Sequence, residues 1–185
     1  MQQNCERMQP WFIATEKFTP LSGAAWEEYI AWSGLTQLVE LVSLDGLLCP
    51  TVLREIDGED WSHIVNEDFM LHFFVNLEYL QKKISKIPNR NLLCVYRDPV
   101  VEPPEPAVDS TRFEFLGYDL VDACGTVSAL TNCGGFPDAF DNRELSSKGL
   151  LTSHDRALRV QSELRRQYPD SNHANCHIWA VFRAL

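Results

Sequence analysis

The sequence holds no apolar run long enough to cross a bilayer. Its two most apolar stretches, residues 35–48 and 69–80, are broken by Glu40, Asp45, His72, Asn76 and Glu78. No basic-then-apolar leader accompanies Asn4, Cys5, Glu6 and Arg7, so a cytoplasmic protein is expected. Basic residues are scarce: 16 Lys and Arg stand against 26 Asp and Glu, a formal charge of −10. That balance argues against nucleic acid and anionic membranes, which are bound through clustered Lys and Arg. It favours a basic protein partner instead. Walker, Gly-x-Gly-x-x-Gly and Gly-x-Ser-x-Gly patterns are also missing, which weighs against phosphate chemistry and serine hydrolysis. The chain has no internal repeats. Its six cysteines (Cys5, Cys49, Cys94, Cys124, Cys133 and Cys176) are scattered, and in a reducing compartment they read as free thiols, most of them filling the core.

What is present suits a folded chain. Of 185 residues, 45% are hydrophobic and 23% charged, enough for one core or for two closely packed halves. The clearest punctuation is the Pro-rich loop 99–110, in which Pro99, Pro103, Pro104 and Pro106 exclude helix and central strand. We therefore expect a single domain over 1–185, or two subdomains, 1–98 and 111–185, joined by that loop. Before the loop, Trp11-Phe12-Ile13 predicts a strand. Residues 23–33 predict a helix capped by Ser22, stopped by Gly34, and buried through Trp26, Tyr29 and Ile30. Residues 38–43 read as a strand closing on Asp45-Gly46. Phe69, Phe73, Leu77, Leu80, Ile84 and Ile87 predict a long helix after Asp68, ended by Pro88, with Lys82, Lys83 and Lys86 towards its C-terminus. Residues 92–96 read as a buried strand.

Beyond the loop, residues 112–121 and 126–131 predict strands joined by a turn at 122–125, with Gly117 marking a bulge in the first. Thr152 or Ser153 caps a helix with an apolar stripe of Ala157, Val160, Leu164 and Tyr168. Arg156, Arg159, Arg165 and Arg166 face water, and Pro169 ends it. Residues 176–182 read as a central strand. The expectation is an α+β fold, a mixed or antiparallel sheet with packed helices, with a helix-rich N-terminal half and a strand-rich C-terminal half.

Three groups of residues could carry function. Glu55, Asp57, Glu59, Asp60, Glu67 and Asp68 crowd one stretch without an intervening Lys or Arg, and Trp61 lies among them. Such a stretch is either a solvated loop with helix starts or an electrostatic face that steers a cationic protein, Trp61 serving as the anchor. Trp26 and Trp32 also lie near acidic residues. In the second group, Cys133 stands between Asn132 and Gly134-Gly135. The glycine amides could form an oxyanion hole, and His173 or His177 could serve as the base with Asn132, Asp119 or Asp122 orienting it. The alternative is a plain turn with Cys133 packed inward. Asn132-Cys133-Gly134-Gly135 resembles the openings of cell-wall and lipid-processing thiol hydrolases, although Pro137 interrupts the helix those families place next. The third group, Asp119, Asp122, Asp138, Asp141 and Glu144, could supply paired carboxylates for acid–base work or a divalent cation, but it matches no calcium or nucleotide motif and reads more simply as turns, caps and surface. His173, Cys176 and His177 lack a second ligand pair, so no metal site is assigned, and His63, His72 and His154 read as ordinary helix residues.

In size, acidity and lack of a catalytic motif the chain resembles the small acidic bacterial immunity proteins of toxin systems. The resemblance implies an inhibitor without a cofactor that neutralises a toxin or enzyme by steric and electrostatic occlusion. A cysteine-dependent hydrolase or transferase using Cys133 and a C-terminal histidine is the alternative.

Overall fold

The computed structural model describes residues 9–65, 71–100, 111–123, 127–131 and 136–185. Four strands, β1 (Trp11–Glu16), β2 (Arg90–Arg97), β3 (Phe113–Val121) and β4 (His177–Ala184), form one antiparallel sheet in the order β1-β2-β4-β3. Three α-helices, α1 (Ala24–Ser33), α2 (Leu77–Ile84) and α3 (His154–Gln167), complete an α+β fold. The last strand inserts between β2 and β3, so strands from both sides of the Pro-rich loop share one ladder. Pro103, Pro104 and Pro106 themselves lie outside the described residues. None of the described helices is long and apolar enough to cross a membrane.

The sheet is covered on both faces, which explains why β4 is apolar at nearly every position. Phe12, Cys94, Ala180 and Phe182 join one cluster with Tyr29 of α1, Leu80 of α2 and Val160 of α3. Ile13, Val95, Trp179 and Val181, the alternate residues, join a second with Val42, Leu44, Phe73 and Leu150 from loops. Gly117 shifts the register of β3, as the sequence predicts: its φ is 143°, and a Cβ there would lie 2.6 Å from the Leu151 carbonyl oxygen. Gly34 closes α1 in the left-handed conformation. Ser153 caps α3.

Several expected elements are corrected. Residues 38–43 form no strand; only Leu41 bridges, to Phe18, while Val39 and Val42 donate to the loop carbonyls of Ser147 and Lys148. Residues 127–131 likewise contribute a single bridge, Ser128 to Val121. The second helix is shorter than its apolar spacing suggests. Asn76 caps it, its side chain accepting the Tyr79 N–H at 3.0 Å, while Phe74 exchanges backbone bonds with Phe12 at 2.7 and 2.8 Å on the edge of β1. A cap and an open strand edge outcompete the helical period there. Thr19, not Ser22, is the capping side chain before α1, through the short 3₁₀ turn Pro20–Ser22. His63 and His72 lie outside helices, and His154 is the first residue of α3. Arg156 does not simply face water, since it pairs with Glu144 at 2.5 Å.

Candidate functional site

The acidic stretch folds into a turn that includes the 3₁₀ segment Asp60–Ser62. Asp57 accepts the N–H groups of Glu59 and Asp60 at 3.0 and 3.2 Å, and Asp60 accepts the N–H of Asp57 at 2.9 Å. Into this double turn Lys83 of α2 inserts its ammonium, 2.6 and 2.7 Å from the two Asp60 oxygens and 2.8 Å from Asp57. The Tyr79 hydroxyl donates to Asp60 at 2.8 Å, and His63 stacks on the Tyr79 ring at 3.8 Å. Burial works against charge on Asp60, but Lys83, the Asp57 amide and Tyr79 outweigh it and hold the carboxyl below its ordinary range. The hydrogen bond from Lys83 does the same for Asp57. Burial and the neighbouring Asp60 push the Tyr79 phenol up to about 12.

This geometry corrects the uniform acidic face expected from the sequence. Asp60 is 0% exposed and cannot touch a partner; it anchors the turn. Asp57 shares that cation. Glu55 and Glu59 are exposed, neither has an ion-pair partner among the described residues, and Trp61 stands 48% exposed beside them. Glu67 and Asp68 lie outside the described residues. The other two tryptophans near acids divide: Trp26 is buried against Phe18, whereas Trp32 is 65% exposed.

A second group of carboxylates converges in the core, a grouping that their wide separation in sequence conceals. Asp119 on β3 is fully buried and accepts bonds from the Ser43 hydroxyl and the Leu44 N–H, both at 2.8 Å, from its neighbour Leu120 N–H at 2.9 Å, and from the Ser128 hydroxyl. Asp45 accepts the Leu47 and Leu48 N–H groups at 2.9 and 3.1 Å and, from across the fold, the Ser128 N–H at 3.2 Å and the Thr131 hydroxyl at 3.1 Å. The two aspartates staple loops 43–48 and 127–131 to the sheet. No cation enters among the described residues, and desolvation pushes the Asp119 carboxyl above its ordinary range. Asp141 and Glu144 are occupied by Arg143 and Arg156, so the paired carboxylates of the sequence reading serve as caps and ion pairs.

The thiol arrangement is only partly in view, because Asn132, Cys133, Gly134 and Gly135 lie outside the described residues. His173 packs against residues on either side of that segment: its Nε2 lies 3.3 Å from the Val127 carbonyl oxygen and its ring 5.0 Å from Phe136. Since a carbonyl only accepts, Nε2 carries the hydrogen and Nδ1 accepts from the Ser171 hydroxyl at 3.4 Å. Burial lowers the His173 pKa. His177 is held elsewhere, its Nδ1 2.6 Å from Asp98. Cys176 between them is buried, and burial pushes its thiol up to about 12, as it does those of Cys49 and Cys94. Such thiols are inert. Among the described residues no three His, Cys, Asp or Glu side chains gather as a metal site.

The fold and these sites define an antiparallel α+β protein with an exposed acidic, aromatic turn and a buried carboxylate seam. Comparison of the chain with protein-family models, with curated proteins and with solved structures finds no match.

Proposed function

We propose that this is an inhibitory binding protein of the immunity type, which neutralises a basic toxin or enzyme by covering it with the turn that carries Glu55, Glu59 and Trp61. One observation carries this reading: the half-exposed Trp61 and two carboxylates without an ion-pair partner among the described residues sit on a turn already fixed by Asp57, Asp60 and Lys83. A fixed platform loses little freedom on binding. An aromatic side chain ringed by charge is the composition of an interface hot spot, while unpaired carboxylates speed encounter with a cationic partner. Asp57 and Asp60 are then supports and not contacts.

The test is capture of a stoichiometric partner from the source cell's lysate over a salt series, followed by affinity measurement with the purified pair. Trp61→Ala should weaken binding by roughly 30-fold or more, the size of a hot-spot loss near 2 kcal/mol. Glu55→Lys with Glu59→Lys should slow association and flatten its salt dependence. Capture unaffected by all three substitutions removes this surface from the mechanism. The second reading, a thiol hydrolase or transferase, is favoured by His173 packing on both flanks of Cys133. In the same experiment it would appear as a covalent adduct that Cys133→Ala abolishes.

A further inference from the structure

At one end of the sheet a cleft of about 710 Å³ opens between α3, the start of β4 and the chain leaving β2. That volume lies within the range of small-ligand sites. His177 is placed by a constrained neighbour. Asp98 adopts a left-handed backbone with φ 48°, which a side chain of this type tolerates only at a cost, and three bonds hold it there. Its N–H donates to the Ile178 carbonyl at 2.7 Å, and its carboxylate accepts the Ile178 N–H at 3.0 Å and His177 Nδ1 at 2.6 Å. Each carboxylate oxygen accepts one of these bonds, and the imidazole is fixed with Nε2 left without a partner among the described residues.

The facing helix supplies the complementary group. Arg156 and Arg166 are occupied by Glu144 and Glu163, but Arg165 meets no carboxylate among the described residues. Among the described residues it makes one long contact, Nε to the Ala174 carbonyl at 3.4 Å, which positions the guanidinium and leaves its terminal nitrogens without a partner there. Gln161, one turn earlier, donates to the Cys176 carbonyl at 2.7 Å and fixes α3 against the strand. Leu158 and Val100, 43% and 75% exposed, also line the cleft. A guanidinium and a fixed imidazole beside an exposed apolar wall specify an amphipathic ligand.

We propose that this cleft binds a small organic anion, its charged head held by the Arg165 guanidinium and by the Nε2–H of His177 in its doubly protonated form, in which Nδ1–H meets Asp98, and its apolar body against Leu158 and Val100. A planar guanidinium suits either a carboxylate or a phosphate head. The site is independent of the protein-binding reading, since none of its residues belongs to the turn at 55–61.

The experiment follows the His177 Cε1–Hε1 resonance, assigned with His177→Gln, during titration with hexanoate, benzoate and phenyl phosphate. Hexanamide and benzamide serve as neutral counterparts. Saturable shifts are expected with the anions, with affinity of millimolar order or tighter, and at least ten-fold weaker binding of the amides. Stronger binding of phenyl phosphate than of benzoate would assign a phosphate head, and the reverse a carboxylate. Arg165→Gln should weaken anion binding by ten-fold or more. Leu158→Ser should weaken hexanoate several-fold while leaving acetate unchanged. Both altered residues are exposed, so circular dichroism should report an unaltered fold. Absence of a saturable shift from any anion, equal binding of the amides, or unchanged affinity in Arg165→Gln would each overturn the proposal.

Discussion

Asp60 and Asp119 are both fully buried aspartates, yet the structure handles them in opposite ways. Asp60 meets an ammonium group, and its carboxyl is held below the ordinary range. Asp119 meets only neutral donors among the described residues, and burial pushes it above that range. The difference follows from where each partner comes from. Lys83 reaches the surface turn along its flexible stem with a quarter of its side chain still in water, so that its own desolvation is modest. In the core seam two hydroxyls and two backbone amides were already committed to burial, and each needed an acceptor. One carboxylate is a charge brought under control; the other is a hub for groups that would otherwise go unpaired.

Breaking the hub should have the largest effect. Asp119→Ala leaves the hydroxyls of Ser43 and Ser128 and the amides of Leu44 and Leu120 without their acceptor. A loss of about 3–5 kcal/mol is expected from the urea unfolding midpoint at neutral pH, since several buried donors are orphaned at once. A loss under about 1 kcal/mol would mean that these donors find other acceptors.

The surface turn should lose less and, unlike the hub, should be repairable. Lys83→Met leaves Asp60 buried without a cation, at a cost of about 2 kcal/mol once the partial exposure of Lys83 is allowed for. Adding Asp60→Asn removes the stranded charge, so the double variant should recover part of that loss, and a double-mutant cycle measures how much. Strict additivity would show that Lys83 and Asp60 are neighbours without energetic coupling. No second substitution is expected to rescue Asp119→Ala in this way.

The two sites were unequally legible in the sequence. Alternating and continuous apolar runs located all four strands, because a sheet buried on both faces leaves few polar positions in its centre. The acidic turn stood out because its residues are close in sequence, but Lys83 is 23 residues from Asp60, and only the fold shows that the densest part of the charge is neutralised. The core seam was far less legible. Asp45, Asp119, Ser43 and Ser128 come from three separate segments, and each alone resembles a turn residue. Those side chains also account for the two expected strands that do not form: Ser43 and Ser128 bond the seam while the backbone around them makes isolated bridges. Apolar spacing at 38–43 and 126–131 recorded burial and not a ladder. A hint was nevertheless available, since both segments place Ser or Thr amid apolar residues, and buried hydroxyls must find partners.

The smallest effect should come from the rim of the seam, where His173 donates to Val127 next to Ser128. Burial favours its neutral form, so its folded pKa lies below the ordinary value of 6.5. The contribution to stability is therefore full above about 6.5 and is lost as pH falls through that value, where the unfolded chain takes up a proton that the folded one resists. The rate of loss is at most about 1.4 kcal/mol per pH unit for one such group. His72, shifted in the same direction by burial, adds a slope of its own, and Asp119, shifted the opposite way, works against both. Comparing wild type with His173→Gln cancels those shared contributions. Between pH 7.5 and 5.5 the wild-type urea midpoint should fall further than that of the variant, and identical pH slopes would mean that His173 is free to take up its proton in the folded state.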